Sequence, residues 1–205
     1  TDAVTGLLNR NGFHALLGSD RVLVASNLGQ LGVVYLDING FKSVNDSIGH
    51  RGGDELIRVL ADRLASVLPP NTAFARIGGD EFAALLSGDN ARDTIAGAAA
   101  ALVHALEEPF LVSGFEFHVT AAVGYAIATR PGMAPGEILR RADLAMYQAK
   151  AASEREAVAY HATMETDALE KKRVEAALRR AIETGELTVV YQPIVRTADM
   201  TVASF

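Results

Sequence analysis

The residues best suited to chemistry in this 205-residue chain are carboxylates set among glycines. Asp80 and Glu81 follow Gly78 and Gly79, with the apolar runs Ala73-Phe74-Ala75 and Phe82-Ala83-Ala84-Leu85-Leu86 on either side. Two such runs around a Gly-Gly-Asp-Glu segment predict a β-hairpin whose turn carries acids. A Gly-Gly pair supplies the positive φ angles of tight turns and leaves the backbone open to a ligand. Acids there face water, a metal or a substrate; an ordinary solvated hairpin is the plain alternative. A further acid, Asp37, ends the β-branched run Leu31–Leu36, read as a buried strand with its acid at the mouth. Oxygen donors without any Cys suit Mg²⁺ or Mn²⁺. Asp37 and Asp80 could share such ions if their strands are neighbours, and two ions about 3.5–4 Å apart would clamp the entering and leaving oxygens of a phosphoryl transfer.

Positioning these acids falls to the surrounding elements. The sequence predicts a helix from Asn9 towards Ala25 interrupted at Gly18, and a helix over Asp54–Leu68 stopped by Pro69-Pro70. A helix over Ala91–Glu108, strands within Phe115–Thr129, a helix over Pro135–Ala152 and a short strand at Ala157–Tyr160 follow. The segments Asp37–Asp46 and Gly49–Asp54 read as acid- and glycine-bearing loops, where ligand sites are usually built. A boundary is expected near 161–168. Beyond it, Glu165–Glu183 reads as an amphipathic helix with Leu169, Val174, Leu178 and Ile182 on one face, and Leu187–Tyr191 as the start of a strand. The mixed order of strands and helices predicts an α+β or α/β domain, a central sheet with helices packed on it.

Composition narrows the function classes. A formal net charge of −6 argues against a nucleic-acid polymer as partner. The absence of Cys excludes disulfides and thiolate metal sites and fits a cytoplasmic location. No apolar run is long enough to span a membrane and no signal peptide is visible, so no membrane contact is expected from this segment. A chain opening on Thr1 reads as a piece of a longer protein, which could carry a membrane anchor upstream.

Five ordered motifs resemble one family. Gly78-Gly79-Asp80-Glu81-Phe82 is the signature of GGDEF domains, which are diguanylate cyclases. Asp2-x-x-Thr5-Gly6-Leu7-x-Asn9-Arg10 is similar to that family's opening motif. Asp37-Ile38-x-x-Phe41-Lys42-x-x-Asn45-Asp46 and Gly49-His50-x-x-Gly53-Asp54 resemble its nucleotide-binding stretch, and Asp143-x-x-Met146-Tyr147-x-x-Lys150 its late helix. The resemblance covers about 1–160. It implies condensation of two GTP molecules to cyclic di-GMP with release of two pyrophosphates across a homodimer. It also implies a fold: a mostly antiparallel palm-like sheet flanked by helices, shared with nucleotide cyclases and related to the ferredoxin-like core.

The resemblance further implies roles. Asp37 and Asp80 would ligate Mg²⁺ (or Mn²⁺) by carboxylates and Ile38 by its carbonyl. Asp80 and Glu81 would help to deprotonate the 3′-hydroxyl. Asn45 and Asp54 would hydrogen-bond guanine, with His50 bordering the same pocket; a structural turn His is an equal alternative. Backbone N–H groups at Phe41 and Lys42 would meet the β- and γ-phosphates, and Lys150 would add positive charge there, unless it is a plain solvated helix Lys.

Two departures from the family pattern matter. Where members often carry Arg-x-x-Asp as an inhibitory product site, this chain has Pro69, Pro70, Asn71 and Thr72, so no product-inhibition site is expected. Where the family has Gly-Arg after the late-helix Lys, this chain has Ser153 and Glu154, with Arg155 one position on. Either Arg155 substitutes by a small shift or GTP binding is weakened. Finally, Leu178-Arg179-x-Ala181-Ile182, Gly185-Glu186-Leu187 and Tyr191-Gln192-Pro193-Ile194-Val195 resemble the opening of EAL domains, which hydrolyse cyclic di-GMP. The expected organisation is a GGDEF domain over 1–162, then a linker helix and a truncated EAL start over 163–205, with an EAL domain as partner in the parent chain and no hydrolase activity in this piece. A GTP-binding regulatory module is the alternative to a cyclase.

Overall fold

Strand β1 (Leu31–Ile38) is buried along its whole length, and the pleat explains its unbroken apolar run. Leu31, Val33 and Tyr35 belong to one hydrophobic core, and Val34, Leu36 and Ile38 to another on the opposite face. A strand covered on both sides shows no polar alternation. The computed structural model describes residues 1–199 and 201–204 and divides into two units, Thr1–Met164 and a second beginning at Glu165.

In the first unit, α1 (Arg10–Leu17) and α2 (Asp20–Asn27) precede β1. Then come α3 (Phe41–Val67), the hairpin β2 (Ala73–Arg76) and β3 (Glu81–Ser87), α4 (Ala91–His104), a ribbon of β4 (Phe110–Val112) and β5 (Phe115–Phe117), β6 (Ala121–Ile127), α5 (Pro135–Ala152) and β7 (Val158–Ala159). The sheet runs β2-β3-β1-β6-β7, antiparallel except for the last pair. Strands β1, β2, β3 and β6 with α3 and α4 form a ferredoxin-like βαββαβ core, as expected of an α+β domain. One core packs α3 and α4 (Leu56, Ile57, Leu60, Leu64, Ile95, Ala99, Leu102) on the sheet. The other packs α1, α2 and α5 (Phe13, Leu17, Val22, Ile138, Ala142, Met146) on the reverse face.

Gly124 fixes how closely α5 sits. A Cβ there would lie 2.0 Å from the backbone N of Met146 and 2.5 Å from the carbonyl oxygen of Ala142. The helix backbone therefore rests directly on β6, with Ala142, Ala145 and Ala149 as its small contact residues, all buried.

Several local expectations are corrected. The 41–53 segment is helical, not loop: α3 begins at Phe41 behind Gly40 (φ 68°) and passes Gly49 (φ 73°, ψ 168°) at a kink. Gly52 and Gly53 serve close packing, since a Cβ on Gly53 would fall 1.9 Å from Asn45 Oδ1. Neither Gly78 nor Gly79 has a positive φ. Gly78 instead leaves room for Glu81, whose Oε2 would lie 2.7 Å from a Cβ there, and Gly79 is open to space. Helix α4 stops at His104, and the β4 strand was not foreseen.

The second unit holds most of α6 (Thr163–Glu183), whose Leu169, Val174, Leu178 and Ile182 are exposed, and the short pair β8 (Ile194–Val195) and β9 (Val202–Ser204). The expected strand at Leu187–Tyr191 does not form; no described strand pairs with it, and an unpaired β-rich run gains no ladder. Among the described residues no helix is long and apolar enough to cross a membrane.

Candidate functional site

Cross-strand register sets the centre of the site. Asp37 lies opposite Glu81 of β3 and Ala122 of β6, and the Ile38 N–H donates to the Asp80 carbonyl at 3.0 Å. The acids at the ends of β1 and β3 are thus neighbours across one ladder. Period-two alternation places Asp37 on the face of Tyr35, the face covered by α5. The last turn of α5 carries Lys150, whose Nζ lies 2.6 Å from Asp37 Oδ1. Asp37 is only 7 % exposed, and a buried carboxylate needs such a partner.

Glu81 is held from two sides. The Tyr35 hydroxyl donates to Glu81 Oε2 at 3.3 Å, and Arg10 Nη2 approaches the same oxygen to 3.8 Å. Burial, then the charges of Glu81 and Asp143, push the Tyr35 hydroxyl well above its ordinary pKa, so it stays a donor. Asp143 on α5 is itself raised, first by burial and then by the charge of Asp37. Three carboxylates therefore share this end of the sheet with Lys150 and Arg10 as counter-charges.

The hairpin turn is braced by arginines. Arg76 donates from Nε and Nη2 to the Gly79 carbonyl at 3.1 and 2.7 Å, and from Nη1 to Asp2 Oδ1 at 3.2 Å. Asp2 also accepts from the Thr5 N–H and hydroxyl. Its burial raises the carboxyl pKa, but these bonds outweigh that and leave it below the ordinary value. Arg10 Nε donates to the Ile77 carbonyl at 3.1 Å, and the N–H groups of Ile77 and Gly78 donate to the Glu81 carbonyl. Sequence reasoning missed Tyr35, Arg10 and Arg76 as site residues. Tyr35 was signalled by its place two residues before Asp37, and Arg10 by the opening motif.

The residues expected to meet nucleotide fall into two groups. On α3, Phe41 is buried in the core, Lys42 is exposed in the first turn, Asn45 is half-buried against Gly53, and His50 and Asp54 are exposed. Elsewhere, a cleft of about 540 Å³ opens between the end of α4, the start of β6 and the end of α5. Asn39, Thr120, Lys150, Glu154 and Arg155 line it, with Val103 and Leu106 as apolar wall. It gathers Lys150 and Arg155 but not Asn45, His50 or Asp54. Ser153 closes α5 in the left-handed region (φ 55°), and the Glu154 N–H returns to the Ala149 carbonyl at 2.9 Å. That reversal is what brings both Glu154 and Arg155 to the cleft. At the 69–72 turn Asn71 is left-handed (φ 64°) and no side chain is charged.

The donor set suits a hard cation. Asp37 and Asp80 offer carboxylates and Ile38 a carbonyl oxygen, while among the described residues no three His, Cys, Asp or Glu side chains are grouped so that they could hold a metal ion together. Mg²⁺ is commonly held by one or two carboxylates plus substrate phosphates, so this sparse set fits a cation that arrives with a nucleotide.

Comparison with known proteins identifies the family of the chain. The family model described as "Diguanylate cyclase, GGDEF domain" matches residues 1–156. The cyclic di-GMP phosphodiesterase PdeR of Escherichia coli (strain K12) is 34% identical over 193 residues, 94% of this chain and 29% of PdeR. The cyclic di-GMP phosphodiesterase NbdA of Pseudomonas aeruginosa is 33% identical over 200 residues, 97% of this chain and 25% of NbdA. The chain thus spans less than a third of these curated relatives. Among solved structures, the GGDEF domain of TpbB (YfiN) from Pseudomonas aeruginosa superposes with a TM-score of 0.74 at 29% identity, covering 82% of this chain and 98% of that one. The GGDEF domain of DgcB from Caulobacter crescentus, in complex with c-di-GMP, gives 0.69 at 28% identity, covering 78% and 92%. A family match over three quarters of the chain, on a sheet that joins Asp37 to the Asp80-Glu81 turn, means that the chain belongs to the GGDEF domain family.

Proposed function

We propose that this domain is a diguanylate cyclase that condenses two GTP molecules to cyclic di-GMP, working in the cytoplasm as a homodimer whose copies each present one GTP. The observation that carries this reading is the register that sets Asp37 and Ile38 beside Asp80 and Glu81 at one end of the sheet, with Lys150 on Asp37. Asp37, Asp80 and the Ile38 carbonyl would hold Mg²⁺ or Mn²⁺, which when bound lowers the pKa of a coordinated hydroxyl and neutralises phosphate charge. The Asp54 carboxylate accepts from the N1–H and N2–H₂ donors of guanine and Asn45 hydrogen-bonds the same base, with His50 beside them. The first-turn amides at Phe41 and Lys42, with Lys150 and Arg155, orient the β- and γ-phosphates. The 3′-hydroxyl oxygen of one GTP bonds to the α-phosphorus of the other, its proton passes towards Glu81 or Asp80, and the bond to pyrophosphate breaks. Tyr35 and Arg10 hold Glu81 oriented for that proton. No inhibitory product site operates at Pro69–Thr72.

A second reading is a GTP-binding module that regulates an EAL phosphodiesterase in the parent chain. Glu154 in the phosphate cleft favours it, as do relatives named as phosphodiesterases. Incubation with GTP and Mg²⁺, with Asp80→Ala as control, separates the two. Cyclic di-GMP formation lost in the control is the expected result; GTP binding without product overturns the cyclase and leaves the regulatory module.

A further inference from the structure

We propose that Lys150 makes the site selective for a metal–nucleotide complex over free metal, because one ammonium serves both halves of the ligand. This rests on the reading above that Asp37 holds the cation and Lys150 the phosphates. Asp37 is nearly buried, and its Oδ1 is engaged by Lys150 Nζ at 2.6 Å. A divalent cation arriving alone meets a carboxylate already neutralised by a positive charge seated on it. To bind, it must either displace that ammonium or accept it as a like-charged neighbour, and both weaken the site. A nucleotide removes the conflict, since its phosphates give Lys150 a second anionic partner and screen it from the cation. Lys150 is free to make that change: its side chain is 48% exposed while Asp37's is 11%, and it lines the open cleft with Arg155. Asp143, on the α5 side of Asp37, is itself a carboxylate and so cannot take the place of the Lys150 charge there. The coupling is reciprocal: whatever the nucleotide adds to metal affinity, the metal adds to nucleotide affinity.

The test measures Mn²⁺ binding by electron paramagnetic resonance, without nucleotide, in the whole 205-residue chain. Lys150→Met keeps a good helix former at a half-exposed position and removes the charge. It should tighten Mn²⁺ alone by about tenfold, within the usual range of coupling between two ligands. Lys150→Arg, which keeps the charge, should stay as weak as the parent. With Mn²⁺ present, Lys150→Met should weaken retention of 3′-deoxy-GTP, which has no attacking hydroxyl. Opposite signs in the two arms support the proposal. Unchanged or weaker Mn²⁺ binding in Lys150→Met overturns it. Asp37→Asn reports separately on the underlying reading: if it binds Mn²⁺ as the parent does, the cation is not held at Asp37 and the assignment of the site itself fails.

Discussion

Replacing Gly124 by Ala puts the seating of α5 under test. The added Cβ would lie 2.0 Å from Met146 N and 2.5 Å from Ala142 O and Ala145 C. All are backbone atoms, so no rotamer change relieves the contact. Helix α5 must retreat by roughly 1.5 Å to restore ordinary packing at about 3.5 Å. That retreat opens the interface along Ile138, Ala142, Met146 and Ala149, which are buried against the sheet. Overpacking of a filled core predicts a loss of about 2–3 kcal/mol. Urea unfolding followed by circular dichroism reads this as a lower midpoint at unchanged slope. Function should suffer beyond stability, because Lys150 rides on the same helix and a shift of this size breaks its 2.6 Å pair with Asp37. Folded Gly124→Ala protein should therefore bind 3′-deoxy-GTP more weakly than the parent. A stability change within about 0.5 kcal/mol would refute the reasoning, since it would mean that β6 or α5 yields freely.

Two further outcomes follow from backbone and charge. Ser153→Gly should raise the unfolding free energy by about 0.5–1 kcal/mol, read as a higher urea midpoint, because a side chain is strained at φ 55° and Gly is not; a lower midpoint would show that the Ser side chain contributes more than its strain. Asp143→Asn should stabilise the protein at neutral pH. Burial, then the Asp37 charge, raise the native pKa of Asp143, so the folded state holds that proton more tightly than the unfolded chain. Ionising it costs stability once pH rises through the native value, and nothing below about pH 3. The gain should shrink to zero on acidification; equal midpoints at neutral pH would count against it.

Elements with a clean period were legible in the sequence. The run Leu31–Leu36 announced a doubly covered strand, and the spacing of Leu56, Ile57, Leu60 and Leu64 announced the second half of α3. The first half was not legible, because Gly49, Gly52 and Gly53 read as loop formers while two of the three act by admitting Asn45 and Ile48 side chains. The same misjudgement applied at Gly78, where the missing Cβ accommodates Glu81 rather than a positive φ. In the site, the acids were visible as residue types, but their neighbours were not. Tyr35 meets Glu81, and Arg76 meets Asp2, only through strand register and chain reversal, which no local window contains. Unpaired runs were over-read: Leu187–Tyr191 has strand composition, yet no described strand pairs with it.

The segment before α1 does something besides bracing the turn. Leu8 bridges Ala75 in parallel, taking the Arg76 N–H at 2.9 Å and giving its own N–H to the Phe74 carbonyl. It occupies the outer rim of β2, which would otherwise offer free donors and acceptors to any extended chain. Trimming this segment would uncover that rim, so the guard against edge-to-edge association rests partly on the stretch before the first helix.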